Sequence, residues 1–455
     1  MTCRTAPMIA TVLLTAAPVL TAAPAAAVGP PPIEDRLLPP AGPAASRFPT
    51  EQFATCATAP VVAAGVRRDG PELRAAWART RGAGQTVAVI DTGVARHRLL
   101  PHLVPGGDYV TDGDGTADCD GHGTIVAGII GAAPDPAGGF SGIAPDAAIL
   151  AIRQSSTKFR ASEHADGGDG VGDVESLAAA VRAAADQGAT VINISSVACL
   201  AVADALDDRA LGAALAYAVD TRNVVVVAAA GNVGGQGTCP KQNPLPAAAG
   251  GPDWDRVEVV ASPSWYDDLV LTVGSVDADG APSDFTLAGP WVDVAAPAEA
   301  VISLNPAGEG LTDTMPGHAE PQPISGTSYA APMVSGVAAL LRAVAPQLTA
   351  RQVMHRIEST ARHPGSGWNP LVGHGVVDAL AAMRGIATPA PASAARPLAR
   401  PPAVLTEAEP RRFALVGAAV CAVLAVASAA LRSRRGADAV PHDGGAGDTE
   451  FGSAR

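Results

Sequence analysis

At 455 residues the chain has room for one large domain or two of medium size, plus appendages. A hydrophobic fraction of 48% against 16% charged residues suits a well-buried core with additional membrane-seeking segments. A formal net charge of −13, with lysine only at Lys158 and Lys241, argues against nucleic acid as a partner, since that needs clustered cations.

Residues 1–27 read as a secretory signal: Arg4 is the positive start, 9–20 the apolar core, and Ala25-Ala26-Ala27 the small residues for cleavage. Export permits disulfides. Residues 28–49 are proline-rich, and Pro30-Pro31-Pro32 cannot be helical, so an extended arm is expected over 28–81. Within it, 71–80 has helical character, with Leu73, Ala76 and Trp77 on one face. A domain over 82–385 follows. It begins with an apolar strand at 86–90 that runs into Asp91-Thr92-Gly93, and further strands are expected at 149–152, 191–195, 224–229 and 269–273. Continuous apolar runs mean strands covered on both faces. Helices are expected at 125–130, 174–187 and 204–219, and this alternation predicts an α/β fold with a mainly parallel sheet.

Two loops stand out. Residues 112–120 are acidic but lack the terminal glutamate of a twelve-residue calcium loop, so a solvated loop is expected, with no metal and no cofactor. Residues 158–172, rich in glycine and acids, read as a mobile surface loop. Near the end, Ile324-Ser325-Gly326-Thr327-Ser328-Tyr329-Ala330-Ala331-Pro332 leads into an Ala-rich helix through Val344. Ser328 at that helix start would meet unpaired N–H groups that favour developing negative charge; taken alone, it reads equally as an N-cap. Thr349 and Gln352 form a capping box for a helix through Ser359. Residues 386–412 are a proline-rich linker. The 19 uncharged residues of 413–431 are long enough to span a bilayer as one C-terminal transmembrane helix, and 432–455 form a polar tail. The signal sets the orientation, domain outside and tail inside.

Asp91 closes a strand, Asp120-Gly121-His122-Gly123-Thr124 precedes an apolar helix, and Ser328 opens another. Each has an ordinary capping interpretation. Together, in the order Asp, His, Ser and each flanked by glycine, they resemble the three signature motifs of the subtilisin-like serine proteases, the subtilases, over about 82–384. The resemblance implies a subtilisin-like three-layer fold in which His122 is the base for Ser328 and Asp91 orients His122. Ala228-Ala229-Ala230-Gly231-Asn232 resembles the family's oxyanion segment, which implies Asn232 and the Ser328 N–H as donors. Residues 192–197 resemble the strand that pairs with extended peptide, so Ser195, Ser196 and Val197 are expected to bind substrate, with Val197 and Ala198 narrowing the primary pocket.

Cys3 lies in the signal and Cys421 in the span, which leaves Cys56, Cys119, Cys199 and Cys239 in the exported domain and three possible pairings. The arm, the cysteine before Asp120-Gly121-His122, the proline linker and the single span resemble the mycosins, membrane-anchored subtilases of type VII secretion systems. That resemblance implies Cys56–Cys119 and Cys199–Cys239, and an arm that wraps the domain and is not released. It further implies a single-pass plasma-membrane protein that cleaves exported proteins, with protein substrates and the type VII membrane complex as partners. The alternative it leaves open is a structural stabiliser of that complex with secondary proteolysis.

Overall fold

Apolar runs buried on both faces form the middle of the molecule. The computed structural model describes residues 28–386, apart from 63–69, 137–138, 163–169, 205–206, 235–238, 246–250, 318–319 and 366. The expected signal, span and tail, and the expected linker from 387 onward, lie outside the described residues. Among the described residues no helix is long and apolar enough to cross a membrane.

In chain order the elements are β1 (Thr50–Gln52), α1 (Pro71–Trp77), β2 (Thr86–Asp91), β3 (Leu103–Asp108), α2 (His122–Gly131), β4 (Ala148–Arg153), β5 (Phe159–Ala161) and α3 (Val174–Asp186). There follow β6 (Val191–Ile194), β7 (Ala198–Ala201), α4 (Arg209–Ala216), β8 (Val225–Ala229), β9 (Val259–Ser262), β10 (Leu271–Val276), β11 (Val294–Pro297), α5 (Thr327–Val344) and α6 (Ala350–Ser359). Seven strands form one sheet in the order β11-β10-β8-β6-β2-β4-β3, all pairs parallel. In β2, Val87, Ala88, Val89 and Ile90 are all at most 1% exposed, so both faces of the sheet are covered. Helices α2 and α5 pack together as one pair and α3 and α4 as another.

From β2 the chain adds β4 and β3 on one side, then β6, β8, β10 and β11 on the other. That reversal puts a crevice outside the carboxyl ends of β2 and β6, where ligands of open parallel sheets bind. Asp91 ends β2 at that crevice.

Several elements depart from expectation. The strand expected at 269–273 is β10, shifted toward the C-terminus, because Leu269 and Val270 close a turn onto the Tyr266 carbonyl. Polar Ser275 is buried instead, its hydroxyl paired with that of Ser283 at 2.9 Å. The helix expected over 204–219 forms only from Arg209, then widens into a π-turn at Tyr217–Thr221. Asp208, which could have capped it, spends its carboxylate on Ser262, Trp265 and Tyr266. Edge strand β3 carries Pro105 and a register shift between Pro105 and Gly107, which an edge tolerates.

The stretch 158–172, expected as a mobile loop, instead contains β5, paired antiparallel with β1 of the arm. The acidic stretch 112–120 is not simply solvated either. Asp118 accepts bonds from Thr92, Gly121 and Thr124, and Asp120 accepts from Ser156 and Thr157.

Both expected disulfides are present, Cys56–Cys119 and Cys199–Cys239, with Cα atoms 4.4 and 4.8 Å apart. The first ties the arm beside the His122 loop. Around it the Ala57 N–H bonds the Cys119 carbonyl at 2.7 Å, Asn305 Nδ2 reaches the Ala59 carbonyl at 3.0 Å, and Gly317 N–H reaches the Thr58 carbonyl at 3.1 Å.

Candidate active site

Two helix starts face each other at the crevice. His122 is the first residue of α2, earlier than the expected start at 125, and Ser328 lies in the first turn of α5 after N-cap Gly326. Packing of α2 on α5 brings the His122 ring to 5.2 Å from that of Tyr329, the neighbour of Ser328.

His122 Nδ1 bonds Asp91 Oδ1 at 2.7 Å, with Asp91 fully buried and the His122 side chain 25% exposed. The Thr92 N–H donates to the same oxygen at 2.7 Å. Such proximity needs Gly123, where a Cβ would stand 2.1 Å from the Gly93 carbonyl and 3.1 Å from Asp91 Cβ. Burial opposes charging the His122 ring, but the charge and hydrogen bond of Asp91, backed by Asp118 and Asp120, outweigh it and raise the pKa above the usual histidine value.

The Ser328 hydroxyl donates to the Ser195 carbonyl at 2.9 Å, so its proton rests there and not on His122. In return the Ser195 hydroxyl donates to the Ser328 carbonyl at 2.7 Å. Ser195 Oγ also accepts from Asn193 Nδ2 at 2.9 Å, and Asn193 Oδ1 accepts from Ser335 Oγ at 2.8 Å. The end of β6 is thus clasped to α5 by a buried polar network. Of the expected substrate residues, Ser195 is bonded into the site, and Ser196 and Val197 continue the half-buried segment toward β7. Val197 also packs against the core. Beyond them, β7 pairs with β9.

Asn232 completes the group. Its Oδ1 accepts from the Thr327 N–H at 3.0 Å and from Thr327 Oγ1 at 3.1 Å, so its Nδ2 is the end left to donate into the crevice. Thr327 Oγ1 accepts in turn from the Gly231 N–H at 3.2 Å. Gly231 sits at φ +102°, and a Cβ there would lie 2.9 Å from Cys239 Sγ and 3.2 Å from Cys199 Sγ. The second disulfide therefore packs on the turn that aims Asn232.

Sequence reasoning missed Thr327, Asn193, Ser335, Thr92 and Asp118. Thr92, Thr327 and Asp118 lie inside or beside recognised motifs, and nothing local distinguishes them from spacer residues. Asp118 has all four acceptor positions filled; burial nevertheless pushes its carboxyl up to about 6, against the downward pull of Thr124, Gly121 and Thr92.

A serine whose neighbour Tyr329 packs on a charge-oriented histidine, with a side-chain amide bonded to the same helix start, has the groups that acyl transfer needs. A model of the subtilase family matches residues 82–375. The chain is 56% identical to mycosin-4 of Mycobacterium tuberculosis H37Rv, with 90% of this chain and 92% of the relative covered. A solved MycP3 protease from the type VII (ESX-3) secretion system is similar at 45% identity and TM-score 0.72, covering 78% of this chain and 99% of the other. A chain of the intact ESX-5 inner membrane complex aligns at TM-score 0.71 and 38% identity, covering 90% of this chain and 100% of that one.

Proposed function

The chain belongs to the subtilase family, and within it to the mycosins, and from that premise we propose that it is a serine endopeptidase serving a type VII secretion system. The observation that carries the reading is that Asn232 is bonded to Thr327, the residue before Ser328, at a helix start whose Tyr329 packs on His122 of the Asp91–His122 pair.

In the proposed reaction, a peptide lies along residues 195–197 as an added strand, through main-chain hydrogen bonds. Ser328 Oγ leaves the Ser195 carbonyl and turns its proton toward His122 Nε2, the nitrogen not bonded to Asp91. His122 takes that proton as Oγ attacks the scissile carbonyl, and Asp91 stabilises the imidazolium. Negative charge on the former carbonyl oxygen is met by Asn232 Nδ2 and by the N–H of Ser328 at the start of α5. His122 then protonates the leaving amine, and water releases the acyl group by the same steps in reverse order. The arm is proposed to stay in place, since the Cys56–Cys119 bond and the β1–β5 pairing both fasten it. Residues 1–27 and 413–431 are proposed as export signal and anchor, holding the peptidase domain outside the plasma membrane and the tail inside.

A second reading is supported by the similarity to a chain of the ESX-5 inner membrane complex: the protein stabilises a secretion complex, and proteolysis is secondary. Terminal-peptide profiling of secreted proteins separates the two, using wild type, Ser328→Ala and a deletion. Processing lost with secretion kept in Ser328→Ala, and secretion lost only on deletion, would show both roles. No Ser328-dependent cleavage of any secreted protein would defeat the protease reading.

A further inference from the structure

We infer that Asp118 is a positioning residue for the Asp91–His122 pair, locking the turn after β2 to the first turn of α2. The inference rests on the proposed roles of Asp91, His122 and Ser328.

The N-cap of helix α2 is Gly121, which has no side chain to cap the N–H groups of the first turn. Asp118 replaces that cap from three residues earlier: Oδ1 accepts the Gly121 N–H at 2.7 Å and Oδ2 the Thr124 N–H at 2.8 Å. A cap alone would stop there. Asp118 Oδ1 also accepts from Thr92 Oγ1 at 2.8 Å, and Thr92 Oγ1 accepts the Gly123 N–H at 3.0 Å. Because Thr92 must donate its single proton to a carboxylate, its lone pair is left to face Gly123. On the far side Oδ2 accepts from Thr124 Oγ1 at 2.6 Å, and that oxygen accepts the Ala95 N–H at 2.9 Å.

Asp118 thus grips both backbones that carry the pair. Thr92 adjoins Asp91 and donates its own N–H to Asp91 Oδ1, while Gly121 and Gly123 flank His122. The bonds form a ring around the 2.7 Å contact between Asp91 and His122. Such supporting bonds hold a reacting constellation within about half an ångström, and a displacement of about 1 Å can cost about 100-fold in rate. The pattern also requires a carboxylate. All four groups facing Asp118 are donors, so an asparagine of the same shape would turn two N–H bonds onto two of them.

The test follows Ser328 labelling by a fluorophosphonate in the full-length chain in detergent, together with the low-field proton resonance of His122 Nδ1. Asp118→Asn and Thr92→Val are expected to label about 10- to 100-fold more slowly, with the resonance shifted or lost, while Thr92→Ser stays near wild type. Thr349→Ala, which removes the cap of the remote helix α6, is expected to change neither readout. If Asp118→Asn does not fold, the Thr92→Val and Thr92→Ser pair decides. Wild-type labelling and resonance in both Asp118→Asn and Thr92→Val would overturn the inference, as would equal slowing by Thr349→Ala. An unlabelled wild type would instead overturn the Asp91–His122–Ser328 reading, and the inference with it.

Discussion

Thr327 holds Asn232 by two bonds to one oxygen, its N–H at 3.0 Å and its hydroxyl at 3.1 Å. The residue before the nucleophile therefore aims the side chain proposed to receive the charge that the nucleophile creates. Thr327 is fully buried, and its hydroxyl also takes the Gly231 N–H, so neither partner turns without breaking a buried bond.

Replacing Asn232 by alanine is expected to lower kcat by about 10²–10³ with little change in KM, a range itself measured on such a donor in a subtilisin. Thr327→Val keeps the shape and the backbone bond but loses the hydroxyl, so a smaller loss of about tenfold is expected. Steady-state kinetics on a peptide cleaved by the wild type checks both. A raised KM with kcat unchanged would point to substrate binding instead.

The pH dependence follows from His122. As a base it must be neutral, and its pKa is raised, so activity is expected to fall as pH drops through a value above 6.5. For stability the sign is opposite. A raised histidine pKa stabilises the fold fully below 6.5, and this contribution is lost as pH rises through the folded value. An NMR titration of His122 in Ser328→Ala checks the first point. In Asp91→Asn the midpoint is expected to drop, because burial then meets only the more distant Asp118 and Asp120.

Each disulfide closes a long loop, with separations of 63 and 40 residues. Loop-closure entropy gives about 4 kcal/mol for either. Paired serine substitutions at Cys199 and Cys239 are expected to lower both Tm and kcat, because Gly231 rests on that bridge. Substitution at Cys56 and Cys119 is expected to lower Tm and to expose the arm to added protease. Unchanged kcat in the first variant would separate the bridge from the Asn232 turn.

Asp208 is 1% exposed and accepts from Ser262 Oγ at 2.6 Å, Trp265 Nε1 at 2.8 Å and Tyr266 OH at 2.8 Å. Alanine there strands the buried Ser262 and Trp265 donors, while the Tyr266 hydroxyl keeps the Asp208 carbonyl at 3.1 Å; at about 1–3 kcal/mol for each stranded donor, a loss of about 2 kcal/mol or more is expected. Chemical denaturation measures it, and Asp208→Asn, which still accepts, is expected to lose less.

The sheet and the motif residues were legible because their signals are local. The run Val87 to Ile90 is apolar at every position, and Asp91, His122 and Ser328 each sit among glycines. Asn232 followed from the segment Ala228 to Gly231 before it. What failed depends on distant partners. Strand β5 exists because the arm supplies β1, with Arg160 bonding Glu51 across 109 residues. Asp118 looked like one more acid in a solvated loop until Thr92, 26 residues away, was placed against it. Leu269 and Val270 mimic a strand by composition and are spent on a turn.

Ser328 is proposed to be a nucleophile activated by His122. The most direct measurement is mass-spectrometric mapping of the full-length chain after treatment with a fluorophosphonate, in wild type and in His122→Ala. Phosphonylation at Ser328 is expected in the wild type and its loss in His122→Ala. Modification at another residue, or none in a folded wild-type chain, would contradict it.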